Sequence, residues 1–232
     1  MLISCFDFVA GARAARGLVV VIDVFRAFSV EAYAFARGLK LSIPTAEIEV
    51  ARQLKRENPN ALLIGERHAK PLPGFDCGNS PTELERFDVI GRTLIHTTHS
   101  GTQGLANAAH ADEVITGALV NAGAIVRYIE QRRPEQVSLV RMGHEARERC
   151  DEDDLCAELI GARLRGEAFD VGSIRDRLRT ANSAQKFFDP VCDWAPERDF
   201  ELCTAVDLFG FVLRLDRSSS PPVLRKIEVL EA

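Results

Sequence analysis

The run Leu18–Ile22, with the sequence LVVVI, constrains the fold of this chain more than any other stretch, and Asp23 follows it directly. Five apolar residues rich in valine have the length and β-branched content of a strand that is buried on both faces. Burying an ionised carboxylate costs several kcal/mol unless a partner compensates, and ligands in open α/β sheets bind at the carboxyl ends of strands. Asp23 is therefore a candidate site residue. The following residues predict a helix that begins at Ala27 or Ser29 and ends at Gly38.

Strand and helix patterns alternate along the rest of the chain. Strands are predicted at residues 2–8, 41–44, 61–65, 92–98, 114–116 and 137–141, with closing strands at 209–215 and 226–230. Helices are predicted at residues 46–57, 101–109, 118–131 and 153–165, and a turn at 11–17. Repeated βα units predict an α/β fold with a mixed, largely parallel sheet and helices on both faces. We expect a single domain over residues 1–232, with a lobed C-terminal part from about residue 150 in which residues 166–199 pack as a cover.

The composition argues against several kinds of partner. A net charge of −5, with dispersed lysines and arginines, argues against a nucleic-acid surface. No apolar run approaches the roughly 20 residues of a membrane span, and no signal-like region opens the chain. We therefore expect a cytoplasmic protein that binds neither nucleic acid nor membrane, and the sequence leaves a homodimer open. The six cysteines form no CxxC pair, which favours reduced thiols over a zinc ribbon.

Three further polar stretches accompany predicted strand ends and helix starts. Residues 74–81 (GFDCGNSP) combine glycines, which let backbone N–H groups approach an anion, with short polar side chains. Residues 97–102 (TTHSGT) place hydroxyls and a glycine before a helix, and residues 151–154 (DEDD) place acids in a first helical turn. Each also has a simpler interpretation as a helix cap or a solvated turn. Their common position at strand ends favours a shared site.

Several reaction classes fit these residues less well. A haloacid-dehalogenase-type phosphatase needs an Asp where this chain has Phe25, and a cysteine phosphatase needs an Arg shortly after its nucleophile, whereas GNSPTEL follows Cys77. His96 and His99, three apart on a strand, point to opposite faces, which disfavours a zinc pair. Oxygen ligands around a hard cation such as Mg²⁺ remain. The available carboxylates are those of Asp23, Glu66, Asp76, Glu152 and Asp153.

The motifs VVIDVFRA, GERHAKPLPGFDCGNSP, TTHSGT, GALVNA and EDDLCA, in this order and spacing, resemble the 2-phosphosulfolactate phosphatase family over nearly the whole chain. The resemblance implies the family's own α/β fold. It also implies Mg²⁺-dependent hydrolysis of the phosphate ester of 2-phospho-3-sulfolactate, which gives 3-sulfolactate and phosphate. In methanogens this step belongs to coenzyme M synthesis.

The resemblance suggests a role for each matched residue. Asp23 would hold Mg²⁺ with Glu152 or Asp153, and Glu66 would be a further ligand. Asp76 would be a ligand or the base that orients water, and Arg26 would pair with the transferred phosphoryl group. The small anionic phosphate ester would be held by Gly78, Asn79, Ser80, Ser100, Gly101, Thr102 and, from the GALVNA match, Asn121.

The chain also departs from the family pattern. Ser100 and Gln103 stand where family members usually have Asn and Arg, and the segment before residues 151–154 differs in glycine content and length, so the register of those four acids stays open. Two alternatives therefore remain: a phosphatase that acts on another small phosphorylated acid, and a non-catalytic relative that binds an anion. If position 103 faces the substrate, we expect Gln103→Arg to raise the affinity for a doubly anionic substrate.

Overall fold

The computed structural model describes residues 1–230 and contains ten strands and nine α-helices within them. The strands are β1 (Leu2–Asp7), β2 (Leu18–Ile22), β3 (Leu41–Pro44), β4 (Leu62–Arg67), β5 (Lys70–Pro71), β6 (Thr93–Thr97), β7 (Glu113–Gly117), β8 (Gln136–Arg141), β9 (Phe211–Asp216) and β10 (Val223–Glu228). The helices are α1 (Phe8–Ala14), α2 (Ala27–Ala36), α3 (Ile48–Glu57), α4 (Pro81–Leu84), α5 (Gly101–Asn107), α6 (Ala122–Arg132), α7 (Asp151–Leu164), α8 (Ile174–Arg179) and α9 (Glu197–Cys203).

One mixed sheet in the order β1-β8-β2-β7-β9-β10-β3-β6-β4-β5 organises these elements. Strand β2 lies between β8 and β7 and is parallel to both, and all five of its residues are buried. Its side chains alternate between two hydrophobic clusters. Val20 packs with residues of α6 and α7, whereas Val21 packs with residues of α2 and α5. The predicted α/β class, with a largely parallel sheet covered on both faces, is confirmed.

The antiparallel hairpin β9–β10 joins two parallel blocks, β1-β8-β2-β7 and β3-β6-β4. Because β9 is antiparallel to β7, β10 to β9 and β3 to β10, the two blocks run in opposite directions. A flat sheet would therefore hold the carboxyl ends of β2 and β6 at opposite edges, and five strand spacings of about 4.8 Å, roughly 24 Å, would separate the two strands. Instead, Gly101, at the start of α5, lies directly against Asp23: a Cβ atom there would be 2.9 Å from Asp23 Oδ2. The sheet therefore curls, and it brings the carboxyl ends of β2 and β6 together.

The structure differs from the predicted elements at three places. Residues 11–17, predicted as a turn, begin inside α1, because Gly11 lets this short helix approach Phe6 closely. The last strand covers Val223–Glu228 rather than 226–230, since its antiparallel pairing with β9 sets its limits. Strand β5 and helices α8 and α9 were not predicted, and they are too short to show a periodic pattern.

Residues 166–199 pack against the sheet, as expected for a cover. Ile174, Leu178 and Phe187 are buried in the same cluster as residues of α6 and α7. Within residues 1–230, no helix combines the length and apolar character needed to cross a membrane. All six cysteines are free thiols. The single-domain organisation stays a prediction.

Candidate functional site

A cleft lies where the carboxyl ends of the two parallel blocks meet. Side chains from separate elements converge on it, and they carry opposite charges. The charged groups are the carboxylates of Asp23, Glu66, Glu152 and Asp153 and the cations of Arg26 and Lys186. The sequence identified five of these six side chains, and the curled sheet brings them together.

Backbone N–H groups fix two of the acids at the ends of neighbouring strands. Asp23, directly after β2, accepts a hydrogen bond at Oδ1 from the N–H of Ala27 at 3.2 Å. The two carboxylate oxygens of Asp153 accept hydrogen bonds from the N–H groups of Val24 at 2.9 Å and Gly143 at 2.8 Å. Asp153 thus connects α7 to the ends of β2 and β8. Asp23 Oδ2 accepts no hydrogen bond from residues 1–230, so its lone pairs are available to a ligand.

Hydrogen bonds from backbone and hydroxyl groups hold the other two acids. Glu66, on β4, accepts hydrogen bonds from the N–H groups of Ala69 at 2.8 Å and His99 at 2.7 Å. Glu152, in the first turn of α7, accepts one from the Ser183 hydroxyl. These contacts fix carboxylate positions without neutralising their charges. The cleft therefore presents a preorganised set of oxygen ligands.

Burial changes the acidity of this cluster. Burial, assisted by the charge of Glu66, raises the pKa of Asp23 to about 6. Burial and the charges of Asp23 and Glu152 raise the pKa of Asp153 well above its ordinary value, and burial raises that of Glu152. The shared cause is that several acids occupy one water-poor space. A metal cation bound among these carboxylates would offset this repulsion.

Arg26 is anchored by a buried ion pair. Its guanidinium lies 2.7 Å from Asp199 Oδ2 and also donates to the carbonyl oxygens of Trp194 at 2.8 Å and Ala69 at 3.2 Å. Asp199 is fully buried and accepts further hydrogen bonds from the Ser80 hydroxyl and the Thr82 N–H. Arg26 is thereby held in one orientation at the cleft wall.

Lys186 and Ser183 are site residues that the sequence analysis missed. Both lie in a 3-10 turn of the covering segment, where no periodic pattern or motif marks them. The Lys186 ammonium lies 5.1 Å from the ring centre of Phe187, and burial, with the charge of Arg26, lowers its pKa. Only the folded cover brings these side chains to the acids.

Asp76 and Asn121, predicted as a catalytic and a binding residue, lie outside the cleft. Asp76 forms an exposed ion pair with Lys55 at 2.9 Å and accepts a hydrogen bond from the Leu63 N–H. It thus holds a loop against β4, and the predicted roles as ligand or base do not fit. Asn121 is buried, and its side chain binds the backbone of Ala118 and Phe211. Its role is local.

Residues 78–80 divide between the cleft and the support behind it. Asn79 lines the cleft. Gly78 and Ser80 do not: the Gly78 N–H donates to Glu83, and the Ser80 hydroxyl caps α4 and donates to Asp199. Of these three residues, only Asn79 is placed to contact a ligand, and the other two stabilise the loop behind the cleft.

Residues 100–103 divide in the same way. Ser100 lines the cleft and Gly101 touches Asp23, whereas Thr102 exchanges hydrogen bonds with Thr98. Gln103 lies outside the cleft and donates to the Ala46 carbonyl at 3.3 Å, so its side chain does not face the cleft.

The structure also resolves the register of residues 151–154. Glu152 and Asp153 are buried at the cleft, while Asp151 is exposed. Asp154 pairs with Arg141 at 3.2 Å and Arg149 at 2.8 Å. The two acids named as metal ligands are thus the two that face the site.

Replacing Cys77 by Ser is expected to leave the catalytic rate within about tenfold, or roughly 1.4 kcal/mol of barrier. Burial, with the charges of Glu83 and Asp76, raises the pKa of this thiol to about 12, so it stays protonated and unreactive. Steady-state kinetics of the variant measure the effect. A thousandfold loss with an intact fold would instead point to a cysteine nucleophile.

Comparison with known proteins agrees with this geometry. The profile of the 2-phosphosulpholactate phosphatase family matches residues 9–218. A probable 2-phosphosulfolactate phosphatase of Thermotoga petrophila is 32% identical over 83% of this chain and 86% of its own length. One of Clostridium tetani is 30% identical over 84% and 87%. One of Caldanaerobacter subterraneus is 43% identical, and there the match spans about half of each chain, 51% and 50%.

These matches place the chain among the phosphatases, and the predicted phosphoric monoester hydrolase is confirmed at that level. The chain belongs to the 2-phosphosulpholactate phosphatase family. The resemblance seen in the motifs is thereby confirmed.

Proposed function

We propose that this protein hydrolyses the phosphate ester of 2-phospho-3-sulfolactate to 3-sulfolactate and phosphate, with Mg²⁺ as cofactor. The observation that carries the proposal is the convergence of Asp23, Glu66, Glu152 and Asp153 with Arg26 and Lys186 in one cleft. Phosphoryl transfer depends mainly on positioning and on offsetting negative charge, and this cleft provides groups for both. The names of the relatives favour this substrate.

The donor set of the cleft fits Mg²⁺. The ion prefers carboxylate oxygens and water, and it commonly leaves positions for substrate phosphates. Asp23, Glu152 and Asp153, with Glu66, would hold it. Arg26 already pairs with Asp199. Lys186 offsets the mutual repulsion of these acids only in part, since the pKa values of Asp23 and Glu152 stay raised. When bound, Mg²⁺ supplies charge neutralisation at the phosphoryl oxygens.

The protein's own cations and fold would do the remaining work. Arg26, held rigidly by Asp199, would bind the oxygens of the transferred phosphoryl group. Lys186 would add a second positive charge from the cover, and its partly apolar surroundings would strengthen that contact. Ser100 and Asn79 would orient the rest of the small anionic substrate. Holding these groups in place before the reaction lowers the barrier.

A panel of phosphate esters tests the substrate assignment. Phosphate release from 2-phospho-3-sulfolactate should exceed release from phospholactate, phosphoglycerate and a neutral-alcohol phosphate, compared by kcat/KM at equal Mg²⁺. A higher kcat/KM for another phosphorylated acid would keep the phosphatase and reassign the substrate. Binding of all the esters without phosphate release would favour the non-catalytic alternative.

Mg²⁺ is expected to raise the melting temperature more at about pH 7.5 than at about pH 5. Burial raises the pKa of Asp23 from 3.8 to about 6, so between these values the folded protein keeps a proton that the unfolded chain has released. The stability of the metal-free protein therefore falls through this window, and the loss is complete above the folded pKa. The raised pKa of Asp23 alone lowers the free energy of unfolding of the metal-free protein by on the order of 3 kcal/mol across this window. An equal shift at both pH values, measured by thermal melting with and without chelator, would contradict this account.

We further propose a cytoplasmic location and a role in the metabolism of sulfonated acids such as coenzyme M precursors. The net charge of −5 supports the absence of a nucleic-acid partner. A homodimer stays open.

A further inference from the structure

A second group of metal-ligating side chains stands at the mouth of the cleft. His68, His99 and Glu145 come from three separate loops, and one ligand atom from each lies within 4.8 Å of the other two. His68 Nδ1 contacts the Glu145 carboxylate, and the imidazole rings of His68 and His99 are 5.1 Å apart, edge to face. None of these three residues belongs to the carboxylate set described above.

One atom of the group lacks a partner. Nδ1 of His99 is buried and makes no hydrogen bond within the described part of the chain. A buried imidazole nitrogen without a partner is costly, because its interaction with water is lost and nothing replaces it. A metal ion bound through this nitrogen would supply the missing partner. His96, in contrast, is fully hydrogen-bonded to Glu31 and Asn79, so it does not take part.

The backbone presents the ligands in an uncommon conformation. His68, Ala69, Glu145 and Ala146 all have φ between 52° and 61°, in the left-handed region that residues other than glycine rarely adopt. Two separate loops are thus bent at the residues that carry His68 and Glu145. The side chain of His68 is 70% exposed, so its imidazole has room to reorient about its contact with Glu145. The ligand atoms of a tetrahedral zinc site with bond lengths near 2.0 Å are about 3.3 Å apart. The three atoms, which lie within 4.8 Å of one another, would have to approach by up to about 1.5 Å when the ion binds.

The chemistry of this group differs from that of the cleft. Two imidazoles and one carboxylate suit a borderline divalent cation such as Zn²⁺, whereas the all-oxygen set suits Mg²⁺. The two sets adjoin each other, since the backbone N–H of His99 donates to Glu66 at 2.7 Å. We propose that His68, His99 and Glu145 form a second, Zn²⁺-type metal site at the mouth of the cleft, with its fourth position left to water. The proposal does not depend on which phosphate ester is the substrate.

Zinc binding to the full-length protein in excess Mg²⁺ tests the proposal. The probe is Zn²⁺ in calorimetric titration, with Co²⁺ as a spectroscopic substitute whose visible absorption reports four-coordinate geometry. The wild type should take up one equivalent. His68→Ala should weaken the affinity by at least the ~10–100-fold that loss of an outer-shell partner costs. Because His68 is exposed, this variant should keep its fold, which thermal melting checks.

Two control variants distinguish zinc bound at this group from zinc bound at another histidine or among the carboxylates of the cleft. His110→Ala changes an exposed histidine outside the group and should bind Zn²⁺ like the wild type. Asp23→Asn removes a carboxylate of the cleft and should also keep the zinc affinity. The proposal is overturned if the wild type takes up no zinc in Mg²⁺, or if His68→Ala binds as tightly as the wild type. It is equally overturned if Asp23→Asn loses the zinc while His68→Ala keeps it, because the ion then lies among the carboxylates.

Discussion

Replacing Asp23 by Asn is expected to lower kcat by at least about a thousandfold, which corresponds to roughly 4 kcal/mol of barrier. The variant should still fold, because Asn keeps the shape and the hydrogen bond to the Ala27 N–H. The substitution removes the negative charge of the carboxylate, whose Oδ2 accepts no hydrogen bond from the described part of the chain. Metal affinity and turnover should therefore fall together while packing survives.

The measurement combines phosphate release, Mg²⁺ titration and thermal melting. Asp151→Asn is a matched control, since this acid begins the same acidic stretch but is exposed to solvent. Its kcat should stay within about twofold, as expected for a surface change away from the site. Undiminished metal-dependent turnover in Asp23→Asn would remove Asp23 from the site.

Replacing Asp199 by Ala is expected to lower the free energy of unfolding by about 3–5 kcal/mol. Asp199 is the buried partner of Arg26, and removing it leaves an uncompensated guanidinium in the protein interior. The Ser80 hydroxyl and the Thr82 N–H lose an acceptor at the same time. Because Arg26 also loses its orientation, the KM for the phosphate ester should rise.

Denaturant unfolding measures the stability, with Glu201→Ala as the control. Glu201 lies on the same helix α9, and it forms exposed ion pairs with Arg175 and Arg179. Exposed pairs contribute little, so this control should lose less than about 1 kcal/mol. Equal losses in the two variants would show that the Arg26–Asp199 pair contributes no more than a surface ion pair.

The sequence predicted the parts of the site that follow a strong local pattern. Asp23 was identifiable because a five-residue apolar strand precedes it directly, and Arg26 because it lies three residues after Asp23. The predicted site role of Asp76 does not match its position, because a sequence motif shows which residues are neighbours in the chain but not the direction in which a side chain points. Asp76 packs on Lys55 instead of facing the cleft. Lys186 comes from a segment without periodicity, so only tertiary structure reveals it.

The curl of the sheet is also beyond sequence reasoning. The hairpin β9–β10 lies between two parallel blocks that precede it in the chain, and such non-local pairing leaves no local pattern. Without that curl, the acids after β2 and on β4 would lie far apart. Helix α1 was missed because a glycine that signals a turn in the sequence serves close packing in the structure.

The most direct test of the central claim is phosphate release from 2-phospho-3-sulfolactate by the wild-type protein, first stripped of metal with EDTA and then titrated with Mg²⁺. The account predicts no turnover in the stripped protein and full recovery as Mg²⁺ saturates the carboxylate cleft, with no recovery in Asp23→Asn. Full turnover by the metal-free protein would contradict it.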